Sequence, residues 1–320
     1  MARCALHRRE PLLTDWIPDL IRARFARLNT WQRAGVRAPH KPLLLLFALG
    51  RVLRGEPRLV RFGDVERLLD GLIAEFGPPR KRTRGRARYP FWHLCNDGVW
   101  TLPERAAIVA GGLDRSNEPP IAVLREALGG FPAALHLRLV AEPWLCIELI
   151  ERLIAGHFPT SYREDIRAAI GVPTGLFQAQ ILAEQVARAM RYATGRPRDP
   201  AFRKAVLEAW GGRCAVCGFE ARLGERPFGV EAAHVKWHAA GGRDTLENGL
   251  LLCVLHHRAL DRGVLGLRRD GTVKISPALS AEGVARTRLL DVDGQPLADG
   301  GPPIAADVIA WHDAQVFRCR

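Results

Sequence analysis

The 320-residue chain holds no apolar run long enough to cross a bilayer; its longest, around Leu43–Leu49, suits a buried helix. Its first residues, MARCALHRREPLL, have no apolar stretch of the secretory type, so the expectation is a cytoplasmic protein. Its seven cysteines are an odd number, which argues against a disulfide framework and for thiol or metal chemistry. Cys4, Cys95, Cys146 and Cys319 have no nearby partner and read as inert. Lysine is scarce, only five of the 47 basic residues, and Arg80–Arg88 contains six basic residues and no acidic one. There is no internal repeat.

What is present is enough apolar residue, 48%, to bury sizeable cores, and a formal net charge of +13. Residues 1–100 carry 20 Lys and Arg against nine Asp and Glu, so the excess sits in the first third. Such asymmetry points to a polyanionic partner, and arginine's planar fork binds two phosphate oxygens at once. A GC-rich genome accounts equally well for the arginine bias, but less well for its asymmetry.

The apolar periodicity predicts helices over 12–30, from Pro42 onward, and over about Gly63–Phe76. The stretch 80–88 reads as an exposed loop. YPFWHL and DGVWTL read as two short strands around an Asn-Asp-Gly turn, with alternating Phe91 and Trp92 in the core. Residues 140–170 read as helical, and Phe177–Met190 as a further helix. The polar stretch TGRPRDP marks a junction. The division is a mixed helix and strand domain over 1–170, a helical linker over 171–200, and a second domain over 201–320. Its last part, from Arg268, alternates short strand-like pieces with Gly/Pro turns. The class is α+β.

Cys214-Ala-Val-Cys217 has the spacing that lets a tight turn aim two thiolates at one ion, and Cys253-Val-Leu-His256 repeats it. Together they offer four ligands of the type structural zinc takes. Between the pairs the order is strand around His234, loop, strand Leu250–Leu252, then a helix over 254–262 closed by Gly263.

C-x-x-C, AAH, ENGLLLC and HH in this order resemble the HNH, or ββα-metal, nucleases. The resemblance implies His234 as general base, Asn248 as the brace of the loop, and His257 as ligand of a catalytic divalent metal, Mg2+ or Mn2+. His256 fills a zinc-ligand slot. Many members place Asp directly before the base. Here Ala233 stands there, and Glu231, Asp244, substrate oxygens or water are left to complete the shell. His238 reads as loop filler.

PHKPLLLLFALGRVL, EFGPP, YPFWHL with DGVW, GGF, and HFP with EDI resemble the sulfur-binding domain of McrA-like type IV restriction endonucleases, which attack phosphorothioate-modified DNA. WHDAQVF resembles the end of such enzymes. The implied partner is double-stranded DNA, with a homodimer as one way to cut both strands, in the bacterial cytoplasm. Sulfur is larger, softer and less hydrated than oxygen, so its pocket should be apolar with cations at the rim. Tyr89 and Pro90 suit the wall, His40 and Lys41 the cationic contacts, and Arg82, Arg84 and Arg86 the flanking phosphates. Two alternatives stay open: an HNH nuclease reading another modification such as methylcytosine, and a catalytically silent zinc DNA-binding protein.

Overall fold

The computed structural model describes residues 16–28, 39–79, 85–172, 200–298 and 301–319. The chain is α+β, and its buried residues form two cores. The first core is organised around one helix. α1 (Pro18–Ala26) precedes α2 (His40–Leu53), whose residues Leu43 to Gly50 are all buried. A helix apolar on every side must be surrounded, and α2 runs through the middle of the first core. β1 (Leu59–Arg61) leads directly into α3 (Phe62–Phe76). Next come α4 (Arg88–His93), α5 (Arg105–Ala110) and α6 (Ile121–Glu126). β2 (Leu128–Gly130), α7 (Ala133–Ala141), α8 (Pro143–His157) and α9 (Arg163–Ala169) complete this part. β1 and β2 pair antiparallel, Leu59 opposite Gly130. Gly129 has to be glycine: a Cβ there would lie 2.5 Å from the Phe91 ring.

One expectation is overturned here. YPFWHL is not a strand; it is α4, continued by a 3-10 turn over Leu94–Asp97. Pro90 sits in the first helical turn, where its missing N–H costs nothing. Phe91 and Trp92 are adjacent and both buried, at odds with alternation across a sheet. Phe91 packs 4.8 Å from Phe62 and 5.4 Å from Trp100, while Trp92 Nε1 donates to Asn117 O at 2.8 Å. Gly98 does make the turn, at φ 74°. Beyond it only Thr101 bridges to Gly130. The helix expected over Phe177–Met190 lies outside the described residues.

The second core begins with α10 (Pro200–Ala209), which packs on the hairpin of β5 (Val230–His234) and β6 (Gly249–Cys253). A small hairpin, β3 (Arg222–Leu223) with β4 (Arg226–Pro227), precedes it. The β5–β6 register sets Val230 opposite Cys253 and His234 opposite Gly249. α11 (Val254–Asp261) follows without a loop. Gly263 closes it at φ 70°, and a Cβ there would meet Val316 O at 2.0 Å, so both conformation and space require glycine. β7 (Leu265–Leu267) pairs with β8 (Val273–Ile275).

The end of the chain also departs from expectation. After β8 it forms a helical stretch over 283–290, and WHDAQVF lies largely in α12 (Ala306–Gln315). Val308, Ile309, Trp311, His312 and Gln315 are its buried positions, a helical spacing that alternation with turns had masked. Trp237 and Trp311, from the second half of the chain, join the first core, where Tyr162, Trp237 and Trp311 meet edge to face with centroids 5.6 and 5.9 Å apart. No helix among the described residues is long and apolar enough to cross a membrane.

Candidate nuclease site and reading face

Cys214 and Cys217 lie in a tight turn closed by Gly218 N–H donating to Cys214 O at 2.9 Å. Cys253 ends β6 and His256 lies in the first turn of α11. The folding of strand into helix thus brings both pairs together, and the four ligand atoms lie within 4.8 Å of one another. His256 Nδ1 is 3.2 Å from Cys253 Sγ and 3.5 Å from Cys214 Sγ. Its Nε2 is 2.8 Å from Arg288 O, which fixes the hydrogen on Nε2 and leaves Nδ1 as the donor atom. Hydrogen bonding among the thiols divides their acidity, lowering Cys217 and raising Cys214. Cys146 stands apart from the cluster, and burial alone pushes its thiol up to about 12.

Asn248, fully buried, accepts from Lys236 N–H at 2.7 Å and donates to Lys236 O at 3.0 Å and Arg243 O at 2.9 Å. It ties both ends of the loop between β5 and β6. His234, on the last residue of β5, stacks on Phe202 at 4.2 Å, and its Nε2 lies 2.7 Å from Asp244 Oδ1. His238 Nε2 is 3.9 Å from the other Asp244 oxygen. His257 Nδ1 is 2.6 Å from Glu231 Oε2, and its Nε2 is 3.5 Å from Asp261 Oδ2. Glu231 has therefore taken His257, and Asp244 has taken His234 with His238 at its other oxygen. Ala233 is packed in the second core, opposite Leu250. Asp261, one helical turn after His257, was missed in the sequence; the i, i+4 spacing was the available signal.

His234, His238, His257 and Asp261 face a cleft of about 300 Å3. Its other wall comes from the first part of the chain: Phe158, Pro159, Thr160 and Arg163.

Of the residues expected to read DNA, His40, Lys41 and Arg86 are engaged within the protein. Lys41 is buried, and its Nζ pairs with Asp97 at 2.5 Å. His40 Nε2 is 3.2 Å from an Arg86 nitrogen, and that guanidinium also donates to Pro78 O at 3.2 Å. The buried carboxylate of Asp70 accepts the backbone N–H groups of Gly85, Arg86 and Ala87 at 2.6 to 2.8 Å, anchoring the end of the basic loop. Tyr89 is half exposed, with its ring tilted against His93 at 4.6 Å; Pro90 is buried. Arg82 and Arg84 lie outside the described residues. Asp70, Asp97 and His93 were not singled out in the sequence.

Residues 18–174 match the family described as a ScoMcrA-like DNA sulfur-binding domain, and residues 214–268 match the HNH endonuclease family. Among solved structures, the sulfur-binding domain of ScoMcrA complexed with phosphorothioated DNA is 23% identical, with 51% of this chain and 96% of that one covered and a TM-score of 0.39. The sulfur-binding domain of SprMcrA in the same kind of complex is 23% identical, with coverage of 51% and 98% and a TM-score of 0.40. The type IV phosphorothioation-dependent restriction endonuclease ScoMcrA is 15% identical, with coverage of 74% and 82% and a TM-score of 0.39. No curated protein sequence matches the chain. The two sequence matches, the second of which spans the strand–loop–strand–helix site, identify a chain in which a ScoMcrA-like DNA sulfur-binding domain is followed by an HNH endonuclease domain.

Proposed function

We propose that the chain is a type IV restriction endonuclease that recognises phosphorothioate-modified DNA through residues 1–170 and hydrolyses a nearby phosphodiester through residues 201–320, with 171–200 as the linker. The observation that carries the chemistry is the pairing of His234 with Asp244 and of His257 with Glu231 around one cleft. Asp244 fixes His234 with its hydrogen on Nε2, so the basic lone pair is on Nδ1, the atom that takes the proton from the attacking water. Asp244 then stabilises the imidazolium that forms. Asn248 keeps the loop that carries Asp244 in place.

Three thiols and an imidazole nitrogen at this spacing fit tetrahedral zinc, held by Cys214, Cys217, Cys253 and His256. His257 offers one nitrogen for Mg2+ or Mn2+, with Glu231 at its Nδ1 or Asp261 at its Nε2 as the oxygen donor; the two carboxylates sit at different ring nitrogens and do not both converge on one ion with it. Such a cation, when bound, supplies Lewis-acid stabilisation of the phosphate and leaving oxygen. Glu231 takes the part of the acid that is absent at Ala233.

For recognition, Tyr89 supplies the exposed apolar surface, with Pro90 buried beside it in α4; His40 stands at the cationic rim, Lys41 joins it only by leaving its pair with Asp97, and Arg82, Arg84 and Arg86 take the flanking phosphates. The test is cleavage of one duplex with and without a phosphorothioate, across Mg2+ and Mn2+. The modified duplex should be cut and the unmodified one should survive. Equal cutting of both would sink the substrate assignment.

A further inference from the structure

The cleft that holds His234 and His257 has a basic wall that no part of the HNH motif supplies. Arg163 lies at the start of α9, in the part of the chain matched to the sulfur-binding domain, yet lines the same cleft as the two histidines. Its placement is held from both sides. Tyr162 Oη donates to Asp261 O at 2.8 Å, Ser161 Oγ donates to the Asp261 carboxylate, and the Arg262 guanidinium lies 4.6 Å from the Tyr162 ring centroid and pairs with Asp165. The residues flanking Arg163 are thus clamped onto the nuclease helix α11.

The charge of Arg163 is only partly answered. Glu151, whose side chain is 1% exposed, gives its Oε1 to two nitrogens of Arg167, at 2.9 and 2.5 Å. Its Oε2 lies 3.2 Å from Arg163 Nε in a geometry that makes no hydrogen bond, and neither buried atom has a hydrogen-bond partner. One buried carboxylate therefore serves two guanidinium groups. The second is held at the edge of a cleft whose proposed occupant is a phosphodiester, and a planar fork matches two phosphate oxygens.

We infer that Arg163 is a catalytic residue that contacts the phosphate in the nuclease cleft, so that the site is complete only when the sulfur-binding part is docked on the HNH part. The inference rests on the nuclease reading above. A donor aimed at developing charge in a cleft contributes on the order of 10²-fold to the rate.

The experiment is single-turnover cleavage by the full chain, on modified and unmodified duplexes, for the parent, Arg163→Ala and Arg163→Lys. Zinc content and duplex binding without a catalytic cation are measured on each. Arg163→Ala should cut about 10²-fold more slowly, with binding and zinc content unchanged, and added guanidinium should restore part of the rate. Arg163→Lys keeps a charge beside Glu151, so it remains informative if the alanine variant does not fold. It should cut about tenfold more slowly than the parent, since a point charge cannot fork. Either variant cutting within threefold of the parent overturns the inference. So does a loss that comes with lost zinc or lost binding and resists guanidinium, which would make Arg163 a strut. A parent that cuts neither duplex overturns the nuclease reading itself, whatever the variants do.

Discussion

The nuclease site and the reading face are built on opposite plans. In the nuclease site, residues near in sequence are brought together by one strand–helix junction: Cys253, His256, His257 and Asp261 span nine positions. In the reading face, partners are far apart. Lys41 meets Asp97 across 56 residues, and Asp70 holds the backbone of 85–87 from another helix. The first site is specified by a motif and braced by local bonds. The second is specified by the packing of a whole core, so proposed reading residues such as Lys41 and Arg86 also have a structural duty.

That difference predicts where function and stability separate. Replacing His234 by Ala should remove the general base and slow cutting by about 10² to 10⁴-fold, the range of general acid–base catalysis. Binding of the modified duplex should not change. Asp244→Asn should lose less, because it orients and stabilises the base without accepting the proton from water. Single-turnover rates beside gel-shift titrations measure this. A His234→Ala protein that cuts normally removes the base assignment.

Lys41 tests the other plan. Lys41→Met leaves the Asp97 carboxylate, 3% exposed, without its cation. Removing one partner of a buried pair costs about 3–5 kcal/mol, so the helical part should unfold at markedly lower denaturant. The double variant Lys41→Met/Asp97→Asn should recover most of that stability. Binding of the phosphorothioate duplex should stay lost in the double variant if Lys41 touches the modified phosphate. Recovered binding would make Lys41 a strut alone, and would sharpen the contrast between the two regions.

How much was legible follows the same line. The α+β class, the ligand spacing of 214/217 and 253/256, and the strand–loop–strand–helix order were readable, because each is encoded within a few residues. Glu231 and Asp244 were named as candidate carboxylates, but the histidine Asp244 meets depends on the loop Asn248 ties, and the one Glu231 meets on the packing of α11 against β5. Asp261 was readable in principle from the helical repeat. Arg163 was not, because nothing local to it mentions the cleft; it arrives there through Tyr162 and Asp165 docking on α11. YPFWHL was misread as a strand because its aromatics suit either element, and only the buried neighbours Phe62 and Trp100 decide between them. WHDAQVF was misread among Gly/Pro turns although its apolar spacing is helical.

The smallest effect concerns His93, whose ring lies tilted against Tyr89 on the proposed reading face. Its Nε2 is 3.4 Å from Glu118 Oε1, a contact that would favour the charged ring. Burial nonetheless holds its pKa below the ordinary 6.5, helped by the positive charges of Lys41, Arg105 and Arg88. Burial also raises Glu118, which weakens the acid's pull on the ring. His136 is shifted the same way as His93, by burial and then Arg58. The sign follows from proton uptake. Between about pH 6.5 and the lower folded values the unfolded chain binds these protons and the fold does not. This contribution to stability is therefore intact above about pH 6.5 and drains away as pH falls through the folded values. Amide exchange in the 88–102 segment, corrected for intrinsic rates, should show protection lost between pH 7.5 and 5.5. His93→Gln should lose less, and His93→Gln/His136→Gln should be nearly flat. An unchanged slope in the double variant would show that the acid sensitivity of this face comes from other groups. A flat double variant would show that burial of a neutral ring in the helical part is a cost set by packing, as its plan requires.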